Sequence, residues 1–157
     1  MKQKIFDILD ELKIPYEVFN HKPTFTCDES RDVCIPGLRV KSLLLRNKKK
    51  DRFYMVVTTD EKKLDTNSLR KDLDESKLGF VSPELMHELI ALEPGHVSPY
   101  ALINNADKNI KVIFDRDIKG QKVGFHPLQN NATIVTNLDN VEKFLDFLGL
   151  EYGYLGV

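Results

Sequence analysis

Apolar residues at Ile5, Ile8, Leu9 and Leu12 recur at i, i+3, i+4 and i+7, the spacing of one helix face. This predicts an amphipathic N-terminal helix, ended by Pro15, followed by a short strand over Tyr16 to Phe19. Thr26, with Asp28 and Glu29 behind it, predicts a second helical turn near Cys27 to Val33, because acidic groups favour the positive end of a helix. Pro36-Gly37 then breaks the chain. The clearest strand pair follows. Arg39 to Arg46 is rich in apolar residues, Asn47 to Asp51 is a polar turn, and Phe53 to Thr59 is rich in β-branched and aromatic residues, so the two runs predict an antiparallel hairpin.

Asp65 to Leu73 predicts a helix capped by Asp65 or Thr66, and Ser82-Pro83 a cap and first helical position for Glu84 to Leu92. Lys111 to Phe114, Val123 to Phe125 and Ala132 to Thr136 are further predicted strands. Asp139 to Leu148 predicts a closing helix, with Asp139 and Glu142 spaced as a capping box and Val141, Phe144, Leu145 and Leu148 turned to the core. Strands and helices mix without regular βαβ alternation. The expected class is α+β, a single domain over residues 1–157 with a mixed, mostly antiparallel sheet surrounded by helices.

Composition narrows the partners. At 157 residues the chain suits one domain that needs no disulfide or metal to fold. Its 23 basic and 24 acidic residues leave a formal charge of −1, so attraction to nucleic acid must come from a local patch. No apolar run approaches the roughly 20 residues of a membrane helix, and Met1-Lys2-Gln3-Lys4 leads into an amphipathic pattern, which points away from membranes and to a cytoplasmic protein.

Common catalytic signatures are absent: there is no GxSxG elbow, no phosphate-binding GxxxxGK[ST] and no GxGxxG. His87-Glu88 starts like a zinc-binding HExxH, but position 91 is Ala91, and His21, His87, His96 and His126 are scattered. Neither a metal site nor any other cofactor is expected. Cys27 and Cys34 read as two ordinary thiols of a reducing compartment.

Four features carry more information. Lys41 is a cation in a run, Arg39 to Leu45, that otherwise favours burial; by composition alone it is a solvated strand lysine, and at a cleft rim it would pair with a carbonyl or phosphate. Gly95 and Pro99 stiffen a loop whose backbone N–H groups can face an oxyanion, although a tight helix–strand connection uses the same residues. His126, before Pro127, is restricted in its backbone, whether it shapes a pocket or bonds a nearby carbonyl. Arg46, Lys48, Lys49, Lys50 and Arg52 crowd the predicted hairpin tip, either as a solvated turn or as an edge for a nucleic-acid backbone.

In order, His21-Lys-Pro-Thr-Phe-Thr26, Val40-Lys41-Ser-Leu-Leu-Leu45, Gly95-His-Val-Ser-Pro99, Phe125-His126-Pro127 and Asn131-Ala132-Thr133 resemble the YbaK / prolyl-tRNA-synthetase-associated editing domains. The resemblance spans Tyr16 to Gly149, and the length and N-terminal helix are similar to the freestanding branch. It implies hydrolysis of the ester joining a wrong amino acid to tRNA, most specifically Ala-tRNA(Pro), with Lys41 and Gly95 at the catalytic positions. Ser42, Pro99 and His126 join Lys41 and Gly95 in holding substrate. The branch often has asparagine after the lysine, where this chain has Ser42. The implied partner is the acceptor end of mischarged tRNA, with prolyl-tRNA synthetase left open as a second. A deacylase for Cys-tRNA(Pro), a non-catalytic tRNA-binding homologue and a small-molecule-binding domain are the competing readings.

Overall fold

A computed structural model describes residues 2–20, 38–92, 97–125 and 132–157. The expected turn at Cys27 to Val33, the Pro36-Gly37 break, and the residues His21, Gly95, His96, His126, Asn130 and Asn131 lie outside the described residues.

The amphipathic N-terminal pattern forms a helix, Lys2–Glu11 (α1), with Ile5, Ile8 and Leu9 buried. Pro15 does not end it. The helix stops at Glu11, four residues earlier; Lys13 then takes a left-handed φ of 56°, and Ile14 N–H donates to Leu9 O at 3.0 Å. Strand Glu17–Asn20 (β1) follows. The predicted hairpin is present as Val40–Asn47 (β2) and Phe53–Thr59 (β3), antiparallel and in unbroken register from Val40 opposite Thr59 to Arg46 opposite Phe53.

Helix Thr66–Asp72 (α2) is capped by Asp65, whose carboxylate accepts from Ser68 N–H at 3.1 Å. A short strand absent from the sequence reading, Leu78–Phe80 (β4), pairs with the end of β2. Helix Pro83–Ile90 (α3) starts at the Ser82 cap and stops at left-handed Ala91, two residues short of the predicted end. A 3₁₀ helix spans Pro99–Asn104, and strand Ile110–Asp115 (β5) lies beyond it.

Strands Lys122–Phe125 (β6) and Ala132–Asn137 (β7) precede helix Leu138–Leu148 (α4), which ends at Gly149 with φ 74°. The expected capping box is corrected: Asp139 sits inside the first turn and Asn137 occupies the cap without a side-chain bond. Asn140 instead ties that turn down by donating to Thr136 Oγ1 at 2.8 Å. The chain closes on another strand that the sequence pattern does not predict, Tyr152–Leu155 (β8).

Among the described residues the strands form an antiparallel sheet in the order β1-β7-β6 and a five-stranded sheet in the order β4-β2-β3-β5-β8. In the larger sheet β5 runs parallel to both β3 and β8, while β2 is antiparallel to its neighbours. The α+β class and the mixed, mostly antiparallel pairing are as expected.

Alternation along β2 and β3 divides the larger sheet into two faces. Leu44, Met55 and Val57 join the main core with α1, α3, α4 and the smaller sheet. Leu45, Tyr54 and Val56 turn the other way, onto a lesser cluster with Leu69 of α2, Leu78 and Ile113. Full burial of each such side chain stabilises by about 1.5–3 kcal/mol, so both faces fix the strand on which Lys41 is carried.

Candidate active site

Lys41 is the second residue of β2, half-buried and directly opposite Thr58 of β3. Among the described residues its ammonium has no ion-pair partner. Cross-strand partners share a face, so Lys41 lies on the side of Leu43 and Leu45. Thr58 is fully buried, and its hydroxyl donates to Asp115 Oδ2 at 2.7 Å. That oxygen also accepts from Lys62 Nζ at 2.7 Å, and Asp115 Oδ1 accepts from Asp117 N–H at 3.0 Å. A polar row thus crosses three strands at this end of the sheet, from Lys41 through Thr58 to Asp115.

The charge in this row is balanced. Burial alone would raise the Asp115 carboxyl, but the hydrogen bonds from Lys62, Thr58 and the Asp117 N–H outweigh it and hold the group below its ordinary value. Lys62 is raised in turn, first by the bond it donates to Asp115 and then by the one it donates to Asp117 Oδ2 at 2.9 Å. Lys62 answers Asp115, and among the described residues no carboxylate answers the Lys41 ammonium.

The other expected site residues are distributed as follows. Ser42, half-buried, pairs with Val57, and strand alternation turns its side chain to the face opposite Lys41. Pro99 is buried as the first residue of its 3₁₀ helix, behind a buried Ser98. Gly95 and His126, the glycine of the expected oxyanion loop and the expected pocket histidine, are outside the described residues.

The hairpin cations fall into two groups. Lys48, Lys49 and Lys50 are exposed at the turn. Asn47 locks that turn from beneath: its Nδ2 donates to Asp51 Oδ1 at 2.6 Å, and its Oδ1 accepts from the N–H groups of Asp51 and Arg52. Arg52 and Arg46 are engaged by the protein. Arg52 donates to Glu75 Oε1 at 3.0 Å, and Arg46 donates to Asn47 O at 3.3 Å. Next to Arg52, a groove of about 370 Å³ is lined by Lys108 and Lys111 among others, and it extends the basic surface.

Sequence spacing does not single out Thr58, Lys62 or Asp115, which are joined by bonds between positions more than 50 residues apart. Among the described residues no group of three or more His, Cys, Asp or Glu is placed to hold a metal ion, and no helix is long and apolar enough to cross a membrane.

Residues 21–144 match the aminoacyl-tRNA editing domain. The chain belongs to this family. Its members are aminoacyl-tRNA deacylases, so the enzyme class is ester hydrolase.

The chain is 33% identical over 147 residues to the prolyl-tRNA editing protein ProX of Acetoanaerobium sticklandii, covering 92% of this chain and 90% of that one. It is 31% identical to the prolyl-tRNA synthetase associated domain-containing protein 1 of Bos taurus, covering 89% and 84%. A solved structure described as a proposed trans-editing enzyme for prolyl tRNA synthetase shares the fold, with a TM-score of 0.74 at 19% identity, covering 99% of this chain and 96% of that chain.

Proposed function

We propose that the chain acts as one editing unit over its full length and hydrolyses Ala-tRNA(Pro) in the cytoplasm, clearing errors made by prolyl-tRNA synthetase. The observation that carries this reading is Lys41: a half-buried ammonium, fixed on a strand packed on both faces, with no carboxylate paired to it among the described residues. Family membership supplies the reaction class, and the similarity to a relative named a prolyl-tRNA editing protein supplies the tRNA.

The chemistry asks little of side-chain nucleophiles. An aminoacyl ester is already activated, so water adds to its carbonyl carbon and a tetrahedral oxyanion forms. Collapse breaks the bond to the ribose oxygen, which leaves with a proton as the tRNA hydroxyl, and the free amino acid departs. The oxyanion needs preorganised donors. In this reading Lys41 anchors the substrate, backbone N–H groups around Gly95 polarise the carbonyl, and a ribose hydroxyl assists the water. Pro99 and His126 shape the pocket. Ser42 faces away from Lys41, so its contribution comes through the backbone.

Selectivity follows from size. A synthetase pocket built for proline cannot reject alanine firmly, since each missing methylene is worth only about 1–3 kcal/mol. A second pocket that admits alanine but excludes proline removes the error. The test is release of alanine from Ala-tRNA(Pro) by the wild-type chain and by Lys41→Ala. Wild-type activity with a strongly impaired variant supports the reading; equal rates remove Lys41 from it.

A further inference from the structure

Phe80 is the last residue of β4 and exposes 62% of its surface, more than Val18 at 39% or Phe147 at 48%, the other large apolar side chains that stand exposed among the described residues. Its partner across the ladder is Leu45. Alternation from Leu45 back through Leu43 to Lys41 places the ring on the same sheet face as Lys41. Four residues of strand separate Leu45 from Lys41, roughly 14 Å. In the other direction Asn47 leads straight into Lys48, Lys49 and Lys50. Among the described residues β4 is an edge strand, with no strand beside the outer flank of Phe80.

The order along this face is a site cation, then an open aromatic ring, then a cluster of exposed lysines. A single nucleic-acid strand is held by the same two elements, cations along its phosphates and aromatic faces under its bases. The Arg46 guanidinium lies 3.4 Å from where a Cβ on Gly79 would stand, and since Arg46 pairs with Gly79, alternation puts it over the edge strand on the face opposite Phe80. The core does not require the ring, because Leu78 on the same strand supplies the packing.

We propose that Phe80 is a stacking platform for a base in the unpaired 3′ end of tRNA, while Lys41 holds the ester at its tip and the Lys48–Lys50 turn meets phosphates further along. The assignment rests on the editing reading. Two measurements separate them. The chain has no tryptophan, so Phe80→Trp installs a single fluorophore at the platform. Saturable quenching by a short RNA ending in CCA, and none by inorganic polyphosphate, is the expected result.

In steady-state deacylation of Ala-tRNA(Pro), Phe80→Ala raises KM about tenfold with kcat little changed, Phe80→Tyr stays near wild type, and Phe80→Leu does not rescue. An unchanged KM in Phe80→Ala, rescue by leucine, or an unquenched tryptophan overturns the platform while wild-type deacylation leaves the editing reading standing. Quenching by RNA with no wild-type deacylation of any charged tRNA keeps the platform and sinks the editing reading. A dimer in sedimentation that dissociates in Phe80→Ala, with KM unchanged, assigns the ring to a second copy of the chain and overturns the proposal.

Discussion

Lys41 and Thr58 face each other across β2 and β3, and the Thr58 hydroxyl directs its proton away from the lysine, onto Asp115 at 2.7 Å. The oxygen of Thr58 therefore presents only lone pairs toward its cross-strand neighbour. The buried carboxylate behind it is neutralised by Lys62 at 2.7 Å rather than by Lys41. One cation on this face is tied into the fold, and the other has no carboxylate partner among the described residues.

This separation predicts how Lys41 variants behave. Lys41→Ala lowers kcat/KM for Ala-tRNA(Pro) by about 100-fold, the scale of one lost charge-stabilising donor. Its unfolding free energy stays within about 0.5 kcal/mol of wild type, because the side chain has no ion-pair partner among the described residues. Single-turnover kinetics and urea titration on the same preparation check both.

Asp115 is predicted to carry stability in place of substrate contact. Asp115→Asn costs about 2–4 kcal/mol at neutral pH, since it removes a buried charge that accepts from Lys62, Thr58 and a backbone N–H. The folded carboxyl titrates below its ordinary value of 3.8, so its share of stability is present above that value. It is lost as pH falls through the depressed value. Urea midpoints measured from neutral pH down to about pH 2 therefore converge for wild type and Asp115→Asn.

The tyrosines give an alkaline signature. The chain has five, and each is raised in the fold. Tyr54 is pushed up to about 12, first by burial and then by the hydrogen bond it donates to Glu75 at 2.6 Å. Burial alone raises Tyr100, and burial followed by its bond to Glu142 raises Tyr154. The protonated phenol is the form favoured in the fold, so this stability is whole below pH 10.0 and fades as pH rises through the folded values. Absorbance of phenolate in the native chain should titrate above the curve of the chain in guanidinium.

The hairpin lysines act through charge. Replacing Lys48, Lys49 and Lys50 together with alanine flattens the dependence of log(kcat/KM) on log salt by about 2, as each phosphate contact contributes roughly 0.7–0.9. The value of kcat at saturating tRNA stays near wild type, because the turn lies roughly 20 Å along β2 from Lys41. Rates from 50 to 300 mM salt, about the range over which such contacts weaken, provide the slope.

Local signals in the sequence fared differently from distant ones. The β2–β3 hairpin was legible because its strands are rich in apolar and β-branched residues and its turn is polar, and Asp65 and Ser82 announced two helix starts by cap chemistry. β4 and β8 were not, since Leu78-Gly79-Phe80 is three residues long and Tyr152-Gly153-Tyr154-Leu155 contains a glycine that weakens any strand signal. The end of α1 turns on a left-handed lysine, a conformation that spacing does not announce.

At the site, Lys41 stood out as a cation in an apolar run. Thr58 and Asp115 did not, because parallel pairing of β3 with β5 is what brings them together. Phe80 carries no signal of its own in the sequence, because its exposure comes from the edge position of its strand among the described residues.

The central claim is tested most directly by initial rates of amino-acid release from Ala-tRNA(Pro), Cys-tRNA(Pro), Pro-tRNA(Pro) and Ala-tRNA(Ala) with the purified wild-type chain. Rapid release from Ala-tRNA(Pro) with the other three near their spontaneous rates is the predicted outcome. Hydrolysis of Pro-tRNA(Pro) at a comparable rate, preference for Cys-tRNA(Pro), or release from none of the four contradicts it.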